Sequence, residues 1–377
     1  MVNILLGALE AVFPLIMRFP RVDRRARGAF AALDVAGYNY MYSRYRSDAR
    51  RYPERVILGT ETAPTETVRI WREIDDLPSV IGDFVWAGWD YIGEAGVAVR
   101  EYGQPTRLHH PFPALLAGEP VIDITGRRQT QSYLNEIAWR RQRGPFIAVQ
   151  PVNHSGEKQS RTHWRSTNSI RSWSWEGCEG RPAVVEVYAD AHRVELLLDG
   201  ARVGERRMRR RDEFLATFTV PYRPGRLAAV AYDAEGRVVG TDEVSSATRV
   251  LQLAVASDRA ELIADGADLA HLEIALTDDV QTVRPLADRT VEVSVRGDAA
   301  LLGLGSGNPI TPESFSSPRH RTYNGRALAV IRAGAAPGAC DVTVSAEGCT
   351  PVDLRIPVVS VPQDPHGAAS TPKSRWP

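Results

Sequence analysis

Short apolar runs and helix-like segments alternate through the first 90 residues of the chain. The apolar runs are Ala31–Tyr38, Arg55–Gly59 and Val80–Trp86. The segments between them, Ser43–Tyr52 and Glu66–Ile74, each end shortly before a proline, as helices commonly do. Strands that alternate with helices of this length are typical of βα units. This part of the chain therefore predicts a parallel sheet with helices packed beside it.

The pattern changes near Pro145, after a further predicted helix over Thr130–Arg141. From there, short runs of alternating polarity are separated by turns such as Asp199-Gly200 and Pro224-Gly225, which suit hairpins. Evenly spaced short strands of this kind favour β-sandwiches. The predicted strands are Phe146–Gln150, Val184–Tyr188, Val194–Leu198, Phe214–Val220, Leu227–Asp233, Val238–Val244, Leu251–Ser257, Ala270–Thr277, Thr290–Arg296, Arg326–Ala333, Asp341–Ser345 and Val352–Val359.

Length and charge indicate the number of domains and argue against some classes of partner. The 377 residues suggest two or three domains, and 46 basic residues balance 46 acidic ones, so no nucleic-acid partner is expected. Asn3–Met17 is apolar, but Glu10 and Pro14 interrupt it and it is shorter than the ~20 residues of a membrane span. We therefore predict a helix there and no membrane partner. No metal-ligand spacing or cofactor motif appears, and the localisation stays open.

Candidate chemistry lies where the three apolar runs end. Glu61 follows the second run, in V-I-L-G-T-E-T. The other two runs end in G-Y-N-Y (residues 37–40) and W-A-G-W-D-Y (residues 86–91). In α/β barrels catalytic groups lie at the carboxyl ends of strands, and a carboxylate among aromatic and amide side chains suits a sugar. The alternative for the aromatic residues Trp89 and Tyr91 is simple packing.

Three segments carry a resemblance to a known family. Leu33–Tyr40, Arg51–Thr62 and Val80–Gly96 resemble strands six, seven and eight of the catalytic barrel of glycoside hydrolase family 2, nearest to its bacterial β-galactosidase branch. The segment from Asp123 to Trp139 resembles that branch's last barrel helix, and residues 172–200 and 250–361 resemble the β domains that follow. The likeness therefore covers nearly the whole chain.

The resemblance implies a fold and its boundaries. The expected fold is a partial (β/α)8 TIM barrel, formed by its last three βα units, followed by two all-β immunoglobulin-like sandwich domains. The implied boundaries are residues 1–142 for the barrel part, 143–181 for a connector, 182–248 and 249–361 for the sandwiches, and 362–377 for a disordered tail.

The same resemblance implies roles for single residues. In a retaining glycosidase one carboxylate attacks the anomeric carbon while a second, about 5–5.5 Å away, protonates the leaving oxygen. Glu61 matches the family's nucleophile, and Trp86 its aromatic wall on strand eight. Asp34 and Asp83 are expected to be structural. The expected sugar contacts are Tyr38, Asn39, Tyr40, Trp86, Trp89 and Asp90.

The family's acid/base residue has no counterpart in this sequence. It is a glutamate in an Asn-Glu pair at the end of strand four, whereas the one asparagine before Asn39 is Asn3, which precedes an isoleucine. Losing acid–base assistance commonly costs ~10²–10⁴-fold in rate. We therefore expect the chain alone to be an inefficient enzyme. It is expected to be either a piece of a longer reading frame or a partner of a separate polypeptide that completes the barrel.

Two further alternatives stay open at this point. The chain could be a non-catalytic carbohydrate-binding or scaffold protein with a vestigial barrel. Its sugar could also be another neutral β-hexoside, such as a β-mannoside. A β-glucuronide is disfavoured because the family's Asn–Lys pair for the sugar carboxylate is absent, although Arg100 or Arg107 could replace it.

Overall fold

The computed structural model describes residue 12 and residues 15–361, and this part of the chain is mostly β. It begins with a three-stranded parallel sheet in the order β1-β2-β3. The elements of this first unit are α1 (Pro20–Ala31), β1 (Val35–Asn39), α2 (Tyr45–Arg51), β2 (Val56–Thr62), α3 (Thr67–Ile74) and β3 (Val80–Val85). The alternation of strands and helices predicted from the sequence is confirmed here.

Two strand boundaries differ from the prediction. Ala31 is the last residue of α1, so β1 starts at Val35 rather than at Ala31. The helix extends through Ala31 because alanine favours helix, whereas the strand starts at Val35 because β-branched residues favour strands. Strand β2 continues through Glu61 to Thr62, three residues beyond the predicted end at Gly59.

The two faces of the parallel sheet have different environments. One face packs against the helices through buried side chains that include Tyr38, Tyr45 and Ile57. On the rest of the sheet large apolar side chains are open to solvent, with Val35 exposed by 41%, Ile81 by 59% and Phe84 by 62%. Apolar side chains in a parallel sheet are normally covered on both faces.

A long irregular segment, residues 86–129, links the sheet to helix α4 (Thr130–Ala138). The helix packs against α3, and Trp139 just beyond it contacts Trp71 edge to face at 6.0 Å. The predicted helix over Thr130–Arg141 therefore forms, and it ends three residues early.

The middle unit consists of two antiparallel sheets that enclose one apolar core. One sheet has the order β4-β5-β8 and the other β10-β9-β6-β7. Its strands are β4 (Phe146–Val149), β5 (Pro182–Tyr188), β6 (Arg193–Leu198), β7 (Ala201–Arg207), β8 (Leu215–Pro221), β9 (Arg226–Tyr232) and β10 (Val238–Ser245).

The predicted connector, residues 143–181, is part of this middle unit. Strand β4 pairs with β5, and Trp173 and Trp175 are completely buried in the core between the two sheets. The sequence prediction also missed β7. This strand lies at the edge of its sheet, open to water, and its Arg- and Glu-rich sequence lacks a strong alternation of apolar residues.

The last unit again has two sheets around one core. Their orders are β11-β13-β17-β15 and β12-β19-β18-β14-β16. Its strands are β11 (Gln252–Ser257), β12 (Leu262–Ile263), β13 (Leu269–Thr277), β14 (Thr290–Gly297), β15 (Ala299–Gly305), β16 (Arg319–Arg321), β17 (Arg326–Ala333), β18 (Gly338–Ala346) and β19 (Val352–Val359). The short strands β12 and β16 and the glycine-rich β15 were not predicted from the sequence.

Within the described residues no helix has both the length and the apolar character needed to cross a membrane. The helix predicted at Asn3–Met17 falls mostly outside the described residues, and so does the predicted tail 362–377.

Candidate functional site

A β-bulge at Thr60 determines where Glu61 points. Tyr38 pairs with Gly59 but Asn39 pairs with Glu61, so Thr60 is an extra residue in β2. Gly59 and Thr62 face the helix-covered side, where Thr62 is completely buried. Because a bulge reverses the alternation of the strand that carries it, Glu61 is turned away from that core. Its carboxylate is half-buried at the carboxyl end of the sheet, beside the exposed Asn39.

Tyr40 connects Glu61 to a distant part of the chain. Its backbone N–H donates to the carbonyl oxygen of Glu61 at 2.7 Å, and its hydroxyl lies close enough to the Glu61 carboxylate to feel that charge. The indole Nε1 of Trp164 donates to the same hydroxyl at 3.0 Å. Burial, with the Glu61 charge acting in the same direction, raises the pKa of Tyr40 above its usual range. Tyr40 therefore stays protonated beside the Glu61 carboxylate.

An aromatic wall, formed by Trp86, Trp164 and Tyr91, lies beside Tyr40 and Glu61. The ring of Trp86 meets Trp164 edge to face at 5.6 Å and Tyr91 at 6.2 Å. The backbone N–H of Trp86 donates to Thr62 at 2.8 Å, which ties the wall to the end of β2. The Trp86–Ala87 peptide bond is cis. Half-buried aromatic rings next to a carboxylate suit the apolar face of a sugar ring.

Glu119 is a second carboxylate near this wall. It is 1% exposed, and one of its oxygens accepts the backbone N–H of Ala87 at 3.2 Å. Burial raises its pKa to about 7, and the nearby Asp90 and Glu94 act in the same direction. Glu119 therefore changes charge near neutral pH, although its side chain belongs to a loop rather than to a strand end.

Asp83 connects strand β3 to helix α2 and to the end of β2. Its carboxylate accepts hydrogen bonds from Tyr45 at 2.7 Å and from the Thr62 hydroxyl. A Cβ at Gly59 would lie 2.2 Å from both Asp83 and Tyr45, so only glycine leaves room for this contact. The structural role predicted for Asp83 agrees with these bonds.

Tyr38 lies in the core, which corrects its expected place among the sugar contacts. The side chain is completely buried and stacks on Phe30 at 4.8 Å. Its hydroxyl donates to Asp48 at 2.7 Å and accepts from Arg55 at 2.9 Å. Successive side chains in a strand point to opposite faces, so Tyr38 cannot share the side of Asn39.

Asp90 also lies away from the position expected of a sugar contact. It is 4% exposed, and its carboxylate accepts the backbone N–H groups of Tyr91 at 2.9 Å and Gly118 at 3.0 Å. Both bonds are made to Oδ1 and hold the irregular segment together, so the role of Asp90 in this structure is to fix the backbone of that segment. Trp89 is 54% exposed and lies next to Gly126. The structure thus brings together Asn39, Tyr40, Glu61 and Trp86, but not Tyr38 or Asp90.

Trp164 and Glu119 are site residues that the sequence reasoning missed. Trp164 lies in the segment predicted as a connector, 124 residues from Tyr40 along the chain, and only folding brings the two together. Glu119 lies in a Gly-Glu-Pro sequence that shows no strand end or motif. The richness of the connector in tryptophan was the one available signal for Trp164.

Comparisons with known proteins agree with the resemblance. Residues 253–355 match glycoside hydrolase family 2 C-terminal domain 5, and residues 180–240 match a domain of unknown function (DUF4982). The β-galactosidase BoGH2A of Bacteroides ovatus is 26% identical over 370 residues, covering 86% of this chain and 39% of that protein. A putative β-glucuronidase of Formosa agariphila is 26% identical over 287 residues, covering 74% of this chain and 25% of that protein.

Solved structures give the same result. A glycosyl hydrolase family 2 member from Bacteroides cellulosilyticus superposes with a TM-score of 0.80 at 33% identity, covering 88% of this chain and 43% of that one. A second structure of a family 2 member from this species gives 0.74 at 32% identity, covering 87% and 41%. The chain spans less than half the length of these relatives. It belongs to glycoside hydrolase family 2 and represents a C-terminal portion of a protein of that family.

Proposed function

We propose that this chain supplies the nucleophile-bearing part of a retaining β-glycosidase that acts on β-galactosides. The observation that carries the proposal is the Glu61 carboxylate, which the bulge at Thr60 turns out of the core at the end of a strand fixed to Tyr40 by a 2.7 Å backbone hydrogen bond. Family membership supports glycoside hydrolysis as the reaction class. The aromatic wall of Trp86 and Trp164 supports a sugar ring as the group that is bound.

In the proposed first step the Glu61 carboxylate attacks the anomeric carbon. The bond from that carbon to the leaving oxygen breaks, and a glycosyl ester forms on Glu61, which water hydrolyses in the second step. In this proposal the protonated Tyr40 hydroxyl lies beside the carboxylate and stabilises its negative charge before the attack. The proton for the leaving oxygen must come from a group outside the described site.

We further propose that β1, β2 and β3 are the last strands of a (β/α)8 barrel. The exposure of Ile81 and Phe84 supports this, because the inner face of a barrel is filled by side chains from all eight strands. The remaining strands would come from a longer chain or from a separate polypeptide. The domain boundaries at residues 142, 181 and 248 remain part of this proposal, with the qualification that the connector packs into the middle unit.

A β-galactoside is the substrate that we favour. The Bacteroides ovatus relative bears the name of a β-galactosidase, and the sequence lacks the Asn–Lys pair expected for a glucuronide. Arg100, one possible substitute, donates through Nε to the carbonyl oxygen of Ser160 at 3.2 Å, so part of its guanidinium is already engaged. Another neutral β-hexoside, such as a β-mannoside, is the second substrate class to be assayed.

The test uses a substrate that needs no acid catalyst. A 2-deoxy-2-fluoro-β-galactoside with a dinitrophenolate leaving group can glycosylate a nucleophile without a proton donor, because dinitrophenolate leaves as the anion. We expect intact-protein mass spectrometry to show one added fluorosugar, located by peptide mapping at Glu61. The Glu61→Gln variant should stay unlabelled, and Glu94→Gln, a nearby exposed glutamate, should be labelled like the parent chain.

Labelling at another residue, or no labelling at all, would refute Glu61 as the nucleophile of this chain. In parallel, nitrophenyl β-galactoside should be turned over poorly by the chain alone, since its leaving group then departs without acid assistance. Efficient turnover would show that an acid/base group is present among these 377 residues.

A further inference from the structure

Three arginines from separate parts of the chain line one cleft. The cleft has a volume of about 910 Å³ and lies where the irregular segment 86–129, the connector and the last unit meet. Arg127 comes from the turn before α4, Arg165 from the connector, and Arg326 from the first position of β17. All three are half-buried.

None of these three guanidinium groups has a partner within residues 15–361, because no side-chain hydrogen bond and no ion pair within 4.0 Å involves them. The Nε atoms of Arg165 and Arg326 are also shielded from solvent without a hydrogen bond. Two other arginines that line the cleft behave differently. Arg128 pairs with Glu136 at 2.9 Å, and Arg171 donates to Asp242 at 2.8 Å. Arg321, which also lines the cleft, has no side-chain partner among the described residues either, but it is exposed to solvent. The combination of half-burial and no partner therefore distinguishes Arg127, Arg165 and Arg326 from the other arginines of the cleft.

The carboxylates of the cleft do not provide the missing partners. Asp123 accepts the Thr125 hydroxyl at 2.6 Å, the backbone N–H of Arg127 at 3.1 Å and the Gln129 amide at 2.9 Å. Asp90 accepts backbone N–H groups at Oδ1 and forms no ion pair within 4.0 Å with any of the three arginines. Asp123 and Glu273 lie close enough to favour the charged form of Arg326. Even so, burial, together with the like charge of Arg127, lowers its pKa to about 10.

A guanidinium group is planar and presents parallel N–H donors that match the oxygens of a carboxylate or sulfate. We infer that this cleft binds an acidic glycan, whose carboxylate or sulfate group is held by Arg127, Arg165 and Arg326. Tyr323 also lines the cleft and, being 38% exposed, offers aromatic surface to a sugar ring, while Asn153 and Asn168 offer amides to hydroxyl groups.

The cleft shares Glu119 with the surroundings of the candidate catalytic site. Glu119 lines the cleft and also accepts the backbone N–H of Ala87, next to Trp86. The choice of a glycan rests on the proposed function, whereas the need for an anion rests on the three arginines alone.

Calorimetry on the full 377-residue chain tests the inference without requiring catalysis. The probes are a hyaluronan tetrasaccharide, which carries carboxylates only, a chondroitin 4-sulfate tetrasaccharide, which carries both groups, and neutral chitotetraose. We expect an acidic probe to bind at least about tenfold more tightly than chitotetraose, and its affinity to fall as salt is added. Binding of both acidic probes assigns the carboxylate, and binding of the sulfated one alone assigns the sulfate.

Arg326→Gln and Arg127→Gln should each weaken that binding by about tenfold or more. The control is Arg237→Gln, which removes the same charge from an exposed turn outside the cleft. Arg326→Gln should also leave Tm unchanged or raise it, because it removes a buried charge without a partner. Equal binding of the neutral probe, no binding of either acidic probe, or unchanged affinity in both cleft variants would overturn the inference. Glu61→Gln should bind the acidic probes like the parent chain, so this test does not depend on Glu61 being the nucleophile.

Discussion

Replacing Gly59 with alanine should loosen the sheet that carries the candidate site. The new methyl group would lie 2.2 Å from Asp83 and from the Tyr45 hydroxyl, far inside van der Waals contact. Tyr45 is completely buried, so it cannot move aside without opening the core. The 2.7 Å hydrogen bond between the two side chains would have to break.

Two contributions set the size of the effect. Inserting a methyl group into a packed core costs about 1–3 kcal/mol. Loss of a hydrogen bond to a charged group costs about 1.5–3 kcal/mol. The two contributions overlap, because a single movement of Asp83 relieves part of the clash and also breaks the hydrogen bond. We therefore expect the sheet to lose about 3 kcal/mol of stability rather than the full sum.

Gly82→Ala is the matched control. Gly82 lies on the neighbouring strand β3, and its added methyl group would meet only Leu58 at 3.7 Å, an ordinary contact. Native-state hydrogen exchange of peptides from residues 35–85 measures the stability of this sheet by itself. Exchange in Gly59→Ala should be faster than in the parent by about a hundredfold, since 1.4 kcal/mol corresponds to a factor of ten. Equal exchange in the two alanine variants would refute the steric reasoning.

Two other predictions concern the site. Trp86→Ala should weaken the binding of a thiogalactoside by about 1–3 kcal/mol through lost stacking, measured by titration, whereas Trp89→Ala, at an exposed ring, should have a smaller effect. Unchanged affinity in Trp86→Ala would assign that ring to packing. Because burial raises the pKa of Glu119 from 4.5 to about 7, its contribution to stability is complete below pH 4.5 and is lost as pH rises through 7. The Tm of the parent should therefore fall more between pH 5 and pH 8 than that of Glu119→Gln, and parallel Tm profiles would contradict the assignment.

Parts of the candidate site were predictable because they depend on local sequence. Glu61 follows an apolar run, and the carboxyl end of a parallel strand is a common place for chemistry. Tyr40 and Trp86 follow the two neighbouring runs, so their approach to Glu61 follows from the strand order. The error on Tyr38 also has a local cause, since side chains alternate along a strand and three consecutive residues cannot all face one side.

Other parts depended on contacts between distant residues. The role of Trp164 requires the connector to return to the sheet, and Asp90 is buried because the segment that ends at Gly118 folds back over it. The unpaired arginines of the cleft come from three segments that meet only in the folded chain. Neither polarity nor spacing in the sequence marks any of them.

Local patterns in the sequence were enough to predict the succession of βα and β units, Glu61 as the candidate nucleophile and the likeness to glycoside hydrolase family 2. These depend on periodicity and on motifs within a few residues. The direction of the Glu61 side chain depends on the bulge at Thr60, which is visible only in the folded chain. The same holds for Trp164, which donates to Tyr40, and for Glu119, which accepts the N–H of Ala87. The physical reason is that side-chain direction and burial arise from pairing between strands and from loops packed against them, which local sequence patterns do not encode.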